Sequence, residues 1–250
     1  MIAAEAPVEV FDEIDSTLLE ARRRAERGEL APVWLVAKRQ SAGKGRRGRA
    51  WSSLDGNLMA TYLGVTRAPP MQIALLGFAV GIAIAEVFDD SIGAGRATLK
   101  WPNDVLIDGA KAAGILVDSG SFPGGDAWFA LGFGVNLAAA PEAIDQPTAS
   151  LRSALPPDAV APAPLEFLAR LRPRLDAWLT RLERDGFDSL RRAWLARAHR
   201  LGELAQVSTG DAKVEGRIVG LSPRGELELE TAAGKRLIAA GEILISNTAA

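Results

Sequence analysis

Short apolar runs and helical patterns alternate through the first ninety residues of the chain. Apolar and β-branched residues predict strands at residues 8–11, 33–37 and 57–65. Asp15-Ser16-Thr17 supplies capping side chains for a helix that should end near Gly28. The most apolar stretch, residues 73–85, is shorter than the ~20 residues that span a bilayer. It therefore predicts a buried helix, in which Gly77 and Gly81 share one face.

Further strand candidates follow in quick succession after that helix. They are residues 98–101, 105–107, 114–117 and 128–137, with Asp108-Gly109 as a turn between the second and third. Hairpins thus outnumber the crossover helices that a purely parallel sheet requires. The pattern predicts an α+β protein with a mixed β-sheet flanked by helices.

The second half begins with a helical pattern and ends with short strands. Residues 164–198 place leucines and tryptophans at helical spacing, and Pro173 should kink or divide this helix. An Ala/Pro-rich stretch, residues 156–164, is typical of a linker. Past Leu201, strands are expected at residues 205–208, 214–221, 226–230 and 237–245. We therefore expect a large domain over residues 1–200 and a small β-barrel over residues 201–250.

Composition excludes several kinds of chemistry. With 29 basic and 31 acidic side chains the net charge is −2, so no overall field attracts nucleic acid or anionic membranes. There is no cysteine and only one histidine, His199, which excludes a disulfide scaffold, a thiolate nucleophile and Cys- or His-rich metal sites. No side-chain cluster indicates a metal centre. The N-terminus lacks the pattern of a secretory signal, so we expect a cytoplasmic protein.

A basic, glycine-rich loop spans residues 41–49. It holds four cations among three glycines, and this combination lets backbone amides and side chains surround a carboxylate or phosphate. A solvated loop, or one that touches a nucleic-acid backbone, would have the same composition. The loop is not a Walker A motif, because the Gly-Lys-Ser/Thr ending is missing.

Three further segments carry candidate chemistry. Lys100-Trp101-Pro102-Asn103-Asp104 joins a cation and an aromatic ring to two residues that could simply form a turn. Lys111 enters a strand that should be largely buried, so it needs an anionic ligand or a structural carboxylate as partner. The glycines of residues 132–136 fit a strand approached closely by a ligand or another backbone, and a bulge would explain them equally well.

Together, and in this order, these segments resemble the catalytic domain of bacterial biotin protein ligases. The resemblance rests on Gly45-Arg46-Arg47-Gly48-Arg49 with Trp51, the Lys100–Asp104 segment, Lys111 with Gly114-Ile115-Leu116, and residues 132–136. It implies a class II synthetase-like catalytic domain with a small C-terminal SH3-like β-barrel. It also implies an enzyme that converts biotin and ATP to biotinyl-5'-AMP. The biotin would then pass to a lysine of a biotin carboxyl carrier protein.

The resemblance also implies roles for individual residues. Biotin would contact Ser16, Thr17, Gln40, Lys44, Gly45, Arg46 and Lys111. ATP and the adenylate would contact Arg46, Arg49, Trp51, Asn103, Lys111 and Asn136, while residues 147–151 would help cover the adenine. Arg46 and Lys111 would be the catalytic residues, since together with Mg²⁺ they would neutralise charge between the biotin carboxylate and the α-phosphate.

The chain departs from the family pattern at three places. Ser16-Thr17 is followed by Leu18 where asparagine is usual, and Lys44 stands where arginine is common. After Gly241-Glu242, the arginine common near the end of the family is missing. Only about fifteen residues precede Ser16, too few for a DNA-binding helix-turn-helix domain, so we expect no DNA binding. The sequence is also compatible with a homodimer formed through a sheet edge.

Two other functions fit parts of this sequence. A lipoate or octanoate protein ligase or transferase shares the architecture, but the motifs around Arg46 and Trp101 favour biotin. A nucleic-acid-binding module could use the basic loop and the tail, yet the near-neutral charge argues against it.

Overall fold

The computed structural model describes residues 4–122, 126–142, 146–210 and 212–244. A seven-stranded sheet forms its centre, in the order β1-β2-β3-β7-β6-β5-β4. Its strands are β1 (Val8–Ile14), β2 (Val33–Gln40), β3 (Leu58–Thr66), β4 (Ala97–Lys100), β5 (Asp104–Ile107), β6 (Ala110–Ser121) and β7 (Ala127–Val135). Only β1 and β2 pair in parallel, and every other neighbouring pair is antiparallel. The expected mixed sheet with flanking helices is confirmed.

Helix α1 (Thr17–Glu26) lies against β2, β3 and β7 and begins as the sequence predicts. The Ser16 hydroxyl accepts a hydrogen bond from the Leu19 amide at 3.4 Å, which caps the first turn. Ala21 and Ala25 bury the inner face of this helix. The cap therefore fixes Ser16 and Thr17 at the edge of the sheet.

Helix α2 (Pro70–Ile92) is longer than the predicted apolar stretch. With 23 residues it is long and apolar enough to cross a membrane, but 72% of its most apolar window is buried inside the protein. It packs on β4, β6 and two later helices, so it is the central core helix. Side chains of β6 lie directly over its glycines, with Val117 next to Gly77 and Ile115 next to Gly81.

The remaining helices are α3 (Leu151–Ala154), α4 (Pro164–Asp185) and α5 (Phe187–Leu195). Pro173 lies inside α4 and does not divide it, because Leu171 and Leu175 are buried on either side. The division lies instead at Gly186, whose φ of 72° favours glycine and ends the helix. Residues 156–163 form the expected irregular connection before α4.

The tail forms a five-stranded antiparallel sheet in the order β11-β10-β9-β8-β12. Its strands are β8 (Leu204–Ser208), β9 (Lys213–Leu221), β10 (Leu227–Thr231), β11 (Gly234–Ile238) and β12 (Glu242–Leu244). The strand expected over residues 237–245 is in fact two strands, since the chain turns at Ala239-Ala240; Ile245 lies outside the described residues. β11 and β12 are the edges of this order, so closure into an SH3-like barrel stays a prediction, as do the domain limits 1–200 and 201–250.

Candidate active site

One cavity of about 180 Å³ opens between the large sheet, the basic loop and the tail. Of residues 147–151, only Thr148 lines it, but all eleven residues assigned individually to biotin, ATP or catalysis do: Ser16, Thr17, Gln40, Lys44, Gly45, Arg46, Arg49, Trp51, Asn103, Lys111 and Asn136. These residues come from five stretches of the chain, at residues 16–17, 40–51, 103, 111 and 136. The fold therefore brings the predicted set together, while the role of each residue stays a prediction.

One end of the cavity is neutral and polar. The Gln40 side-chain oxygen accepts hydrogen bonds from the Thr17 amide at 2.8 Å and from the Thr17 hydroxyl at 3.1 Å. Thr61 of β3 in turn donates to the Thr17 hydroxyl at 2.9 Å. Leu18 and Gly132 close this end with apolar surface. Such a group of short, fixed polar side chains suits a neutral polar ring rather than a charged group.

The basic loop forms a tight hairpin over the cavity. The Trp51 amide donates to the Gly43 carbonyl at 2.9 Å, and Lys44 bridges to Ala50. At its tip, Arg47 and Gly48 both have positive φ, at 55° and 75°, a conformation that favours glycine. The loop thus has a defined shape, with three cations close to the cavity mouth.

The tail holds this loop from the outside. Arg46 donates to the Gly241 carbonyl at 3.0 Å, and one Arg49 nitrogen lies 2.9 Å and 3.0 Å from the two Glu242 oxygens. Burial lowers the pKa of Arg46, but an arginine remains charged at neutral pH. Glu242 itself lines the cavity, so the tail contributes to the site even though its pattern departs from the family.

Two lysines and one carboxylate lie on the opposite wall. Lys111 on β6 forms an ion pair with Asp104 on the neighbouring strand β5, with Nζ and Oδ1 2.7 Å apart. A structural carboxylate is therefore the partner that the sequence required for Lys111. Lys100, at the end of β4, is 3% exposed, and burial lowers its pKa. Its ammonium group donates to the Gln146 side-chain oxygen at 2.8 Å.

Trp51 lies across the middle of the cavity over two glycines. A Cβ on Gly134 would come within 2.2 Å of the indole ring, and one on Gly114 within 3.1 Å. The pairing of β7 with β3 and β6 has no register shift, so the glycines of this strand do not form a bulge. They give room to Trp51 and, at Gly132, to Leu18.

Two buried polar atoms of the cavity have neither a hydrogen bond nor an ion pair among the described residues. They are the Trp51 indole nitrogen and the Asn136 side-chain oxygen. A buried polar group without a partner is costly, so both atoms fit a site that a polar ligand completes. The Asn136 amide nitrogen, by contrast, donates to the Ala149 carbonyl at 3.1 Å, and Asn103 donates to the Ile115 carbonyl at 2.7 Å. These two bonds fix the strand ends beside the ligand space.

The individual roles expected from the sequence did not include three charged residues that line the cavity: Lys100, Asp104 and Glu242. Lys100 and Asp104 belong to the Lys100–Asp104 segment, so the signal was visible, although Asp104 alone resembles a turn residue. Gln146, which bonds to Lys100, carried no local signal, because an isolated glutamine after a strand is typical of a loop. Within the described ranges, no group of three His, Asp or Glu side chains could hold a metal ion.

Comparisons with known proteins agree with this geometry. The model of the biotin/lipoate A/B protein ligase family matches residues 11–130, and that of the biotin protein ligase C-terminal domain matches residues 205–246. The biotin–[acetyl-CoA-carboxylase] ligase of Paracoccus denitrificans is 41% identical over 237 residues, covering 92% of this chain and 96% of the relative. The enzyme of the same name from Mycobacterium tuberculosis is 29% identical, covering 95% and 88%.

The fold leads to the same class. The biotin protein ligase of Aquifex aeolicus, solved in complex with biotin and ATP, superimposes with a TM-score of 0.78 at 26% identity, covering 95% of this chain and 97% of that one. The large sheet and its cavity thus define a protein of the biotin and lipoate ligase class. Within that class, the extent of the Paracoccus match and the C-terminal domain model show that the chain belongs to the biotin protein ligase family.

Proposed function

We propose that this chain is a biotin protein ligase that makes biotinyl-5'-AMP from biotin and ATP and transfers biotin to a lysine of a carrier protein. One observation carries the proposal: a single cavity joins a neutral polar end to a wall of buried or half-buried cations. Biotin has the matching shape, with a neutral ureido ring at one end and a carboxylate at the other.

The polar end would take the ureido ring. Thr17 and Gln40 are already held by hydrogen bonds, so they would bind the ring with little loss of side-chain freedom. Ser16 lies beside them and is 4% exposed. Leu18 would contact the apolar part of the ring system.

The cations of the cavity, Arg46, Lys100 and Lys111, would serve the first chemical step. The biotin carboxylate attacks the α-phosphate of ATP, an O–P bond forms, and pyrophosphate leaves with the electrons of the broken O–P bond. Arg46 and Lys111 would offset the repulsion between the two anions and stabilise the charge that develops on the phosphate. Trp51 and Asn136, with their unpaired polar atoms, would lie against the nucleotide.

Mg²⁺ would enter with ATP. The two carboxylates of the cavity, Asp104 and Glu242, already form ion pairs with Lys111 and Arg49. Mg²⁺ is commonly held by one or two carboxylates and by substrate phosphates. Because both carboxylates already pair with cations, we propose that the ATP phosphates would supply most of its ligands here; the ion would withdraw charge from the phosphates.

In the second step the acceptor lysine amine attacks the carbonyl of the mixed anhydride. An N–C bond forms, the bond between the carbonyl carbon and the phosphate oxygen breaks, AMP leaves with the electrons of that bond, and the amine nitrogen loses one proton as it becomes an amide. This chain would act by holding the two reactants together and by keeping water out under the basic loop. No side-chain nucleophile is needed.

The test is transfer itself. The purified chain is incubated with ATP, biotin and the biotin carboxyl carrier domain of acetyl-CoA carboxylase, and the acceptor mass is measured. We expect one biotinyl group on one lysine. Lipoate or octanoate replaces biotin in parallel; modification by either of these without biotinylation would replace the proposal with a lipoate-type activity. The match to the biotin protein ligase C-terminal domain supports biotin.

The acceptor of the named relatives supports a biotin carboxyl carrier protein as the partner of this chain. We further propose action in the cytoplasm, without DNA. DNA-binding measurements with and without biotin and ATP test whether the chain acts without DNA. Gel filtration under the same conditions measures its oligomeric state.

A further inference from the structure

Lys100 is a buried cation whose hydrogen-bond partner is a neutral group. It lines the cavity, it is 3% exposed, and its ammonium group lies 2.8 Å from the Gln146 side-chain oxygen. A buried ammonium group normally requires an anion nearby or a ligand that brings one. An amide oxygen satisfies one N–H bond of Lys100 and leaves its positive charge intact.

Gln146 has a second contact on the same wall. Its amide nitrogen donates to Oδ2 of Asp104 at 3.3 Å, while the other oxygen of Asp104 forms the ion pair with Lys111. A single row of contacts thus runs from Lys100 through Gln146 and Asp104 to Lys111. Two positive charges share one negative charge, so the row retains one net positive charge facing the cavity.

The backbone beside Gln146 is attached to the same strand as Lys111. The Lys111 amide donates to the Pro147 carbonyl at 2.8 Å, and the Ala149 amide donates to the Lys111 carbonyl at 2.9 Å. Gln146 is therefore held in register with β6, and its side chain spans from there to the end of β4. This register fixes where the Lys100 ammonium group can lie.

We propose that Gln146 is a positioning residue, which holds Lys100 towards the phosphates of ATP and couples it through Asp104 to Lys111 without neutralising either lysine. The proposal rests on the proposed function. The amide is suited to the task because it can accept from an ammonium group and donate to a carboxylate at once. When a phosphate binds, Lys100 has further N–H bonds available for it.

The chemistry makes glutamate and leucine informative replacements. A carboxylate at residue 146 would pair with Lys100, raise its pKa and cancel its charge. Leucine would remove the hydrogen bond that favours the charged form and so lower the pKa further. The charged groups that face Lys100 are Asp104 of β5, Lys111 of β6, Glu242 of β12, Arg49 of the basic loop, and His199 after α5.

The experiment compares Gln146→Leu, Gln146→Glu and the control Gln72→Leu, which replaces an exposed glutamine of α2. Biotin-dependent pyrophosphate release is measured against ATP and against biotin between pH 6 and 9.5. In both Gln146 variants we expect KM for ATP to rise about tenfold, the effect of one hydrogen bond to a charged group. KM for biotin should stay within about twofold, because the neutral end of the cavity is untouched.

The pH profile separates positioning from a merely structural role. Leucine should move the alkaline limb of kcat/KM for ATP to lower pH, and glutamate should move it to higher pH. The proposal would be overturned if the alkaline limb stayed in place or moved in the same direction in both variants. It would also be overturned if KM for biotin rose as much as KM for ATP. If the leucine variant does not fold, the upward shift in the glutamate variant decides. Wild-type chain that releases no pyrophosphate with biotin would instead refute the proposed function.

Discussion

The indole ring of Trp51 lies in the space that a side chain on Gly134 would occupy. A Cβ at that position would be 2.2 Å from Cε2 of the ring and 2.5 Å from its nitrogen. The basic loop and the central strand β7 are thereby fitted to one another. Glycine at this position sets how deeply Trp51 can enter the cavity.

Gly134→Ala should therefore displace Trp51 rather than simply weaken the sheet. We expect a loss of about 1–3 kcal/mol in the free energy of unfolding, the usual cost of overpacking, and a rise in KM for ATP of about tenfold or more. Urea unfolding and pyrophosphate release measure the two effects.

Gly81→Ala is the matched control for this prediction. Its Cβ would meet Ile115 and Leu99 at 3.5 Å, an ordinary contact, and Gly81 lies on α2 and does not line the cavity. KM for ATP should be unchanged in this variant. Equal kinetics in the two alanine variants would show that the position of Trp51 does not matter for nucleotide binding.

Lys111→Ala should reduce the rate of pyrophosphate release by about 100-fold or more, because a cation at the developing charge is lost. It should also destabilise the fold by about 2 kcal/mol, since Asp104, with only 10% of its side chain exposed, loses its ionic partner. The double variant Lys111→Ala with Asp104→Asn removes that unpaired charge. It should regain most of the stability and none of the activity; recovered turnover would mean that the charge of Lys111 is not needed.

Local sequence patterns predicted most of the large sheet and its site. Lys111 and Asp104 lie on adjacent strands of one hairpin, so their proximity follows from the turn at Asp108-Gly109. For Gly134 the sequence left a ligand, a backbone contact and a bulge open, because nothing local shows that a ring from the basic loop lies there. The partner of Arg49 was equally hidden, since Glu242 is 193 residues away.

Helix α4, which contains Pro173, ends at a place that the local sequence pattern did not predict. A proline inside a helix removes one backbone hydrogen bond, and from local preference alone a kink or a division was expected there. Burial of Leu171 and Leu175 against the core outweighs this loss in the folded chain. Tertiary packing, which a local pattern does not contain, decides where this helix ends.

Glu242→Gln should loosen the basic loop from the tail. The pair with Arg49 is partly exposed, at 42% and 21% of the two side chains, so its loss should cost less than about 1 kcal/mol of stability. The local effect should be larger, because the loop itself contains trypsin sites at Lys44, Arg46, Arg47 and Arg49. We expect faster tryptic cleavage within residues 44–49, detected by mass spectrometry, and a higher KM for ATP.

Glu203→Gln is the control for loop release, because it breaks an exposed ion pair with Arg200 in the segment before β8. Cleavage of the basic loop should match wild type in this variant. If Glu242→Gln is cut no faster than Glu203→Gln, the tail does not restrain the loop.

Lys100→Met should make the protein more stable and less active. Burial lowers the pKa of Lys100, so the folded chain binds this proton less tightly than the unfolded chain, and the charged lysine costs stability at neutral pH. We expect Tm at pH 7 to rise by about 2–4 °C, the shift that about 1 kcal/mol gives in a chain of this size, while KM for ATP rises. The wild-type chain regains stability as pH rises from the lowered pKa of Lys100 towards the ordinary lysine value, so the difference in Tm between the two proteins should shrink in that range.

Lys213→Met, at an exposed position on β9, is the control and should leave Tm and kinetics unchanged. A Lys100→Met protein with a lower Tm at pH 7 than wild type would mean that Gln146 and Asp104 fully compensate the buried charge.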